Sequence, residues 1–286
     1  MALPAGTTKV KEIRLTDNAY RLLVIDIDGT LVNRYGTISD RDREALSRAQ
    51  EAGIQVALST GRGLQATVGI IRELSLDSYH ISFDGALVSR LDSSEEIYAS
   101  PISKELVRQM IDAAHECRVD LELFTVTHYF VERETWSTNA HRDFFSTYST
   151  IVDFRQVWEQ ERILKGGVVP TSPEETAKAV SFCSQLDQHL HLSLARTPAY
   201  PGVDFINVLA PGVSKGKALE KLAAHLEVPL SEVIAVGDGT NDISLLTTAG
   251  LAIAMGNAED EVKSIADYVT LDVDHSGLAA AIEAIL

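Results

Sequence analysis

Cysteine is scarce in this chain. Only two occur in 286 residues, Cys117 and Cys183, far apart in sequence and without a Cys-x-x-Cys spacing. They read as buried thiols in a reducing compartment, not as a disulfide framework. Basic residues are also in short supply: 25 Lys and Arg face 41 Asp and Glu, a formal net charge of −16. No basic excess exists to neutralise a polyanion, which argues against nucleic acid or an anionic membrane as partner. A local basic site for a small phosphate stays open. No apolar run is long enough to span a bilayer. Residues 1–20 are mixed and charged and lack an apolar signal core. Repeats and low-complexity tracts are missing too. The expectation is a cytoplasmic protein with a short, loosely ordered extension over residues 1–20.

What is present is ordinary for a folded protein, 45% apolar and 23% charged, in a length that fits two domains or one large one. The stretch Leu22-Leu-Val-Ile-Asp-Ile-Asp-Gly-Thr30 stands out. Its branched apolar start predicts a strand buried on both faces. It ends in two carboxylates, Asp26 and Asp28, whose burial without a cation or donors would cost several kcal/mol, roughly. A calcium loop of the EF-hand type is disfavoured, because Gly29 follows the second Asp immediately. A strand that merely ends in an acidic turn is the bland alternative.

The pattern repeats along the chain. Ser39 caps a helix to about Ala52, and Gly53 stops it. Ile54–Leu58 predicts a second buried strand, ending at Ser59-Thr60-Gly61-Arg62-Gly63, and a helix follows to about Leu74. His80–Phe83 predicts a third strand. Strand alternating with helix indicates a parallel sheet covered by helices. Ala86–Ala99 then reads as a hairpin turning at Asp92-Ser93-Ser94. From about Ser89 to Asp204 the rhythm is that of a separate α+β module: helices over Ser103–Cys117, Thr135–Tyr148 and Pro173–Leu190, and alternating strands over Asp120–Thr125, His128–Arg133 and His191–Arg196. Phe205–Leu209 reads as a return to the first module. Ser214 caps a helix from Lys215. Val233–Val236 predicts a strand ending in Gly237-Asp238-Gly239-Thr240-Asn241-Asp242. A helix to about Ala249, strands at Leu251–Ala254 and Tyr268–Leu271 with a helix between, and a helix from Gly277 close the chain. The expected fold is α/β, a Rossmann-like parallel-sheet core (residues 21–88 and 205–286) with an inserted α+β cap (89–204).

Asp26, Thr60 and Asp238 each follow the C-terminal end of a predicted strand, where open parallel sheets bind ligands. Lys215, at a helix start, can join them. Carboxylates with spare water positions suit Mg²⁺. A lysine, a hydroxyl and helix N-termini suit phosphate. Together these groups describe metal-assisted phosphoryl transfer.

Asp26-Ile27-Asp28-Gly29-Thr30, Thr60-Gly61-Arg62, Val213-Ser214-Lys215-Gly216 and Gly237-Asp238-Gly239-Thr240-Asn241-Asp242 resemble, in order, the four motifs of the haloacid dehalogenase superfamily. The likeness is strongest to its Cof-type (subfamily IIB) hydrolases, whose cap is inserted between the second and third motifs. One departure is Asp84, in Phe83-Asp84-Gly85-Ala86, where Cof-type proteins usually have Asn. The resemblance implies a Mg²⁺-dependent phosphatase of small phosphorylated metabolites, sugar phosphates among them. It implies Asp26 as nucleophile, forming an aspartyl-phosphate, and Asp28 as acid and then base. Thr60, Lys215 and the amides of Ile27 and Gly61 would hold the phosphoryl oxygens. Asn241 would orient the phosphate or Asp238. Asp26, Asp238 and the Asp28 carbonyl would bind Mg²⁺, with Asp242 holding a water on the metal. A phosphomutase of the same superfamily, or a non-catalytic phosphometabolite-binding protein, is the alternative; assembly as monomer or homodimer is left open.

Other features read more plainly. Gly212–Lys217 looks like a phosphate-binding P-loop but is one residue too short, and Ala218 stands where Ser or Thr is needed. Arg62 could contact substrate or cap, or lie on a helix surface. His189 and His191 read as a solvated strand face. Trp136, His128, Arg133 and His141 could line the cap's substrate surface, its core or its exterior.

Overall fold

A computed structural model describes residues 20–91 and 95–286. The expected extension over residues 1–20 lies outside them apart from Tyr20, as does the expected turn at Asp92-Ser93-Ser94. The chain runs β1 (Leu22–Ile25), α1 (Asp40–Glu51), β2 (Gln55–Leu58), α2 (Val68–Glu73), β3 (His80–Ser82), β4 (Leu87–Ser89) and β5 (Glu96–Ala99). It continues with α3 (Lys104–Cys117), β6 (Glu122–Phe124), β7 (Tyr129–Val131), α4 (Trp136–Phe145), β8 (Ser149–Ile151), β9 (Lys165–Val168), α5 (Pro173–Leu186), β10 (His191–Ala195) and β11 (Phe205–Leu209). It ends with α6 (Lys215–His225), β12 (Val233–Gly237), α7 (Ile243–Thr248), β13 (Leu251–Ala254), α8 (Asp260–Ile265), β14 (Tyr268–Val269) and α9 (Gly277–Glu283).

The first sheet is parallel throughout, in the order β14-β13-β12-β1-β2. Its strands are apolar because helices cover both faces. Leu23 and Ile25 pack toward α1 and α9, while Leu22 and Val24 pack toward α6 and α7. Ser39 caps α1 as expected, its hydroxyl accepting from the Asp42 N–H. The expected third parallel strand differs. β3 touches β2 through a single parallel bridge, Ser59 to Ile81, and pairs antiparallel with β4, which pairs with β5. The Leu58 N–H, which would continue the ladder, donates to His80 Nδ1 instead, at 3.1 Å.

The second sheet has six strands, β10-β11-β9-β6-β7-β8. Here the reading of β11 needs correction. It does not return to the parallel sheet but pairs antiparallel with β10 and β9. A strand buried on both faces would not carry Asn207 at its centre; β11 alternates, with one face on helices and the other on polar groups. The hairpin strands β4 and β5 pair antiparallel as expected, but they lie with the first layer, where Val88, Ile97 and Tyr98 pack with Leu22 and Ile81. One face of the second sheet is closed by α3 and α5, through Leu123, Phe130, Val208, Met110 and Phe182. Cys117 and Cys183, on those helices, are free and half-buried rather than buried. No helix among the described residues is long and apolar enough to cross a membrane.

Candidate active site

The chain leaves β1 through a turn that needs glycine. Gly29 has φ +90°, and a Cβ there would lie 2.3 Å from Asp238 Oδ2. The turn thus brings the loop after β1 against the loop after β12. Asp26, Asp238 and Asp242 converge, with one oxygen of each within 4.8 Å of the others. Lys215, the first residue of α6, is fully buried and donates to Asp26 Oδ1 at 2.7 Å and Asp242 Oδ1 at 2.6 Å. Asp242 Oδ2 accepts the N–H groups of Asp238 and Gly239, so both its oxygens are engaged. Asp238 is held by the Thr30 hydroxyl at 2.9 Å and Asn257 Nδ2 at 3.0 Å.

One ammonium among three carboxylates, Asp26 and Asp242 buried and Asp238 half-buried, leaves the cluster short of positive charge. Burial, followed by the charge of Asp242, pushes the Asp26 carboxyl well above the usual carboxylate range, although Lys215 pulls it back. The same two causes push Asp238 up to about 8. Burial would lower the Lys215 ammonium, but Asp242 and Asp26 outweigh it and raise it.

Thr60 is buried beside this cluster, and its hydroxyl accepts the Arg62 N–H. Neither the Ile27 nor the Gly61 N–H has an acceptor among the described residues, which leaves both amides for an anion. Asp28 is the site residue that stands apart. Its carboxylate is gripped by Arg62, Nε to Oδ2 at 2.8 Å and Nη2 to Oδ1 at 2.7 Å, and Thr197 Oγ1 lies 3.3 Å from Oδ1. Its side chain therefore does not join the metal-type cluster. Arg62 is no surface residue: its guanidinium lies 4.7 Å from the Phe145 ring centre. Asn241 turns its Nδ2 to Asp84 Oδ1 at 2.9 Å.

A cavity of about 360 Å³ lies between these loops and the open face of the second sheet. Its far wall is built at period two. Glu122 and Asn207 both stand opposite Gly167, and Phe124 stands opposite Lys165 and Tyr129. Lys165 is buried and donates to Gly61 O at 3.0 Å. Burial lowers its ammonium, opposed by Asp84 and Glu122. Burial alone would raise the Glu122 carboxyl, yet His141 and the Tyr129 hydroxyl outweigh it and hold it below its usual range. Of the four cap residues left open by the sequence, His141 and His128 line the cavity, while Arg133 pairs with Asp120 outside it and Trp136 is partly exposed.

Sequence reading missed Asn257, Thr197, Lys165 and Glu122. Asn257 could have been found, because it follows the end of β13 as Asp238 follows β12. The other three had no contiguous signal.

The family of haloacid dehalogenase-like hydrolases matches residues 23–282. Phosphatase YwpJ of Bacillus subtilis (strain 168) is 30% identical over 295 aligned positions, covering 91% of this chain and 97% of that protein. A haloacid dehalogenase-like hydrolase from Bacteroides thetaiotaomicron superposes with a TM-score of 0.81 at 29% identity, over 93% of this chain and all of that one. A subclass IIB sugar phosphatase superposes with a TM-score of 0.76 at 28% identity, over 92% and 98% of the two chains. With its four motifs gathered at the ends of a parallel sheet beneath a cap, the chain belongs to the haloacid dehalogenase-like hydrolases of the Cof type and is a phosphoric monoester hydrolase.

Proposed function

We propose that the enzyme hydrolyses the phosphate ester of a small metabolite, a sugar or polyol phosphate, with Mg²⁺ and through an aspartyl-phosphate on Asp26. The observation that carries this reading is Asp26 bonded to Lys215 beside Asp238 and Asp242, under a cavity sized for a small molecule. In this reading the expected core (21–88 and 205–286) and cap (89–204) become 20–99 with 210–286 and 100–209, a division supported by the packing of β5 on the first layer and the pairing of β11 in the second sheet. The two free thiols suit a cytoplasmic enzyme.

The donor set fits Mg²⁺: hard carboxylate oxygens, close together and lacking countercharge. Asp26 and Asp238 would hold the ion with the Asp28 carbonyl. Asp242, whose oxygens are engaged, would act on it through water. When bound, Mg²⁺ supplies the positive charge that lets a carboxylate approach a phosphate dianion. The chain's own groups do the rest. Thr60, Lys215 and the Ile27 and Gly61 amides hold the phosphoryl oxygens and stabilise their charge as it redistributes. An Asp26 oxygen attacks phosphorus, and Asp28 gives its proton to the departing ester oxygen. Asp28, now a carboxylate, takes a proton from the water that attacks the aspartyl-phosphate, which releases phosphate and restores Asp26. Asp28 can turn to this work only once the Arg62 fork has loosened and its carboxylate has taken up a proton from solvent. The cap keeps bulk water from the intermediate.

The test is hydrolysis of an aryl phosphate by the intact chain with Mg²⁺, with EDTA, and by Asp26→Asn. Activity that needs the ion and disappears in the variant supports the reading. Turnover that survives in Asp26→Asn overturns it.

A further inference from the structure

Asp84 is not used in the chemistry above, yet it is 1% exposed and lies at the seam between the two layers. Its backbone is held at φ +50°, a conformation Asp tolerates better than most residues. Its two oxygens accept one amide from each side: Asn241 Nδ2 from the core at 2.9 Å, and Asn207 Nδ2 from the cap at 2.7 Å. A carboxylate is acceptor-only, so it fixes which end of each asparagine faces it. Asn207 lines the cavity, and its Oδ1 has no donor among the described residues. Asp84 therefore turns an acceptor, not a donor, toward the leaving-group side. The charges there agree. One ammonium, Lys165, faces two buried carboxylates, Asp84 and Glu122, and the second of these is also paired with His141 Nε2 at 3.2 Å. Lys165 forms no ion pair among the described residues; its one hydrogen bond there is to the Gly61 carbonyl, and its Nζ lies 4.5 Å from the Phe124 ring centre. Gly167 floors the hollow between Glu122 and Asn207.

We propose that Asp84 and Glu122 are specificity-determining residues that admit neutral, hydroxyl-bearing leaving groups and disfavour those carrying a second anion. A hydroxyl can accept from Lys165 and donate to Asn207 Oδ1 or Glu122. A carboxylate or second phosphate can also accept from Lys165, but it has no proton for Asn207 Oδ1 or Glu122 and meets two like charges and an acceptor dipole. This rests on the phosphatase reading for the placement of the phosphoryl group at Asp26.

The experiment compares glycerol 3-phosphate with 3-phosphoglycerate, which differ by a hydroxymethyl group against a carboxylate. Binding of each to the full chain with Mg²⁺ is measured by calorimetry on Asp26→Asn, and turnover on the unaltered enzyme. Glycerol 3-phosphate is expected to bind about tenfold tighter or more. Asp84→Asn frees the two amides to flip and removes a charge, and Glu122→Gln removes the other charge. Each should cut that preference several-fold by tightening 3-phosphoglycerate, with the turnover change in KM rather than kcat. Equal binding of the two ligands, or a preference unaltered in both variants, overturns the proposal. If Asp84→Asn does not fold, Glu122→Gln alone decides. Discrimination in binding without turnover of any ester would sink the phosphatase reading, and the charge selection would then stand as a property of ligand binding alone.

Discussion

The two sheets place their working groups in opposite ways. In the parallel sheet, helices cover both faces, so side chains along β1, β2 and β12 are committed to packing. Only the strand ends are free, and Asp26, Thr60 and Asp238 all stand there. In the cap sheet, helices cover one face and the other looks into the cavity. Its working groups therefore sit within the strands at alternate positions: Glu122 and Phe124, Lys165 and Gly167, Asn207. The first arrangement suits chemistry, because loop ends bring charges together around an ion. The second suits recognition, because a face can change residue by residue without moving its strands.

The largest expected effect tests that division directly. Asp26→Asn should lower turnover by about 10⁴-fold or more, as loss of a nucleophile does. A cap-face change such as Lys165→Met should lower kcat/KM on a generic aryl phosphate by about tenfold at most. Steady-state kinetics on both variants checks this, and comparable losses would break the division. Next comes Lys215→Met. It leaves two buried carboxylates without their ammonium, so turnover should drop by about 10²- to 10³-fold. The metal-free protein should also lose about 3–5 kcal/mol, read by urea unfolding. A stability loss that Mg²⁺ restores would sharpen the assignment of that cluster as an ion site.

A third effect lies where the parallel sheet stops short. Burial lowers His80 from 6.5 to about 4, and its Nδ1 accepts the Leu58 N–H, so it is neutral in the fold. The unfolded chain takes up this proton near pH 6.5 and the folded chain only near 4. The stability it contributes is complete above 6.5 and is lost as pH falls to 4, roughly 3 kcal/mol in all. Urea midpoints at pH 7 and pH 5 should separate less in His80→Gln than in the parent. An equal separation would show that the imidazole is not the acid-labile element.

The same contrast decides what could be read from the sequence. A strand-end site is contiguous: an apolar run, then the acid. The convergence of Asp26, Asp238 and Asp242 near Thr60 was therefore legible, and so was most of the parallel sheet, but the pairing of Asp28 with Arg62 was not. A face site is scattered. Glu122, Lys165 and Asn207 lie on three strands and meet only through register. β9 was missed altogether, because Lys-Gly-Gly-Val carries neither alternation nor β-branched weight. β11 was assigned to the wrong sheet because its apolar ends outweighed Asn207 at its centre. Arg62 was ambiguous for a related reason: only the fold brings it onto Asp28.

The smallest effects should come from the two glycines of β9, which are neighbours in sequence and face opposite sides of one sheet. A Cβ at Gly166 would lie 2.6 Å from Met110 Sδ, toward α3. Gly166→Ala should therefore cost about 1–3 kcal/mol of stability, as overpacking does, while substrate preference changes little. A Cβ at Gly167 would lie 3.0 Å from Glu122 Oε2 and 3.3 Å from Phe124 Cε2, toward the cavity. Glu122 and Phe124 would have to give by only a few tenths of an ångström, so stability should change less. The hollow between Glu122 and Asn207 would be shallower, however, and kcat/KM for a sugar phosphate should fall a few-fold, by roughly the 1 kcal/mol that a methylene is worth in a pocket. Acetyl phosphate, which has no body to fit there, should lose less. If Gly166→Ala shifted substrate preference and Gly167→Ala did not, the open face of the cap sheet would not be the one that reads the substrate.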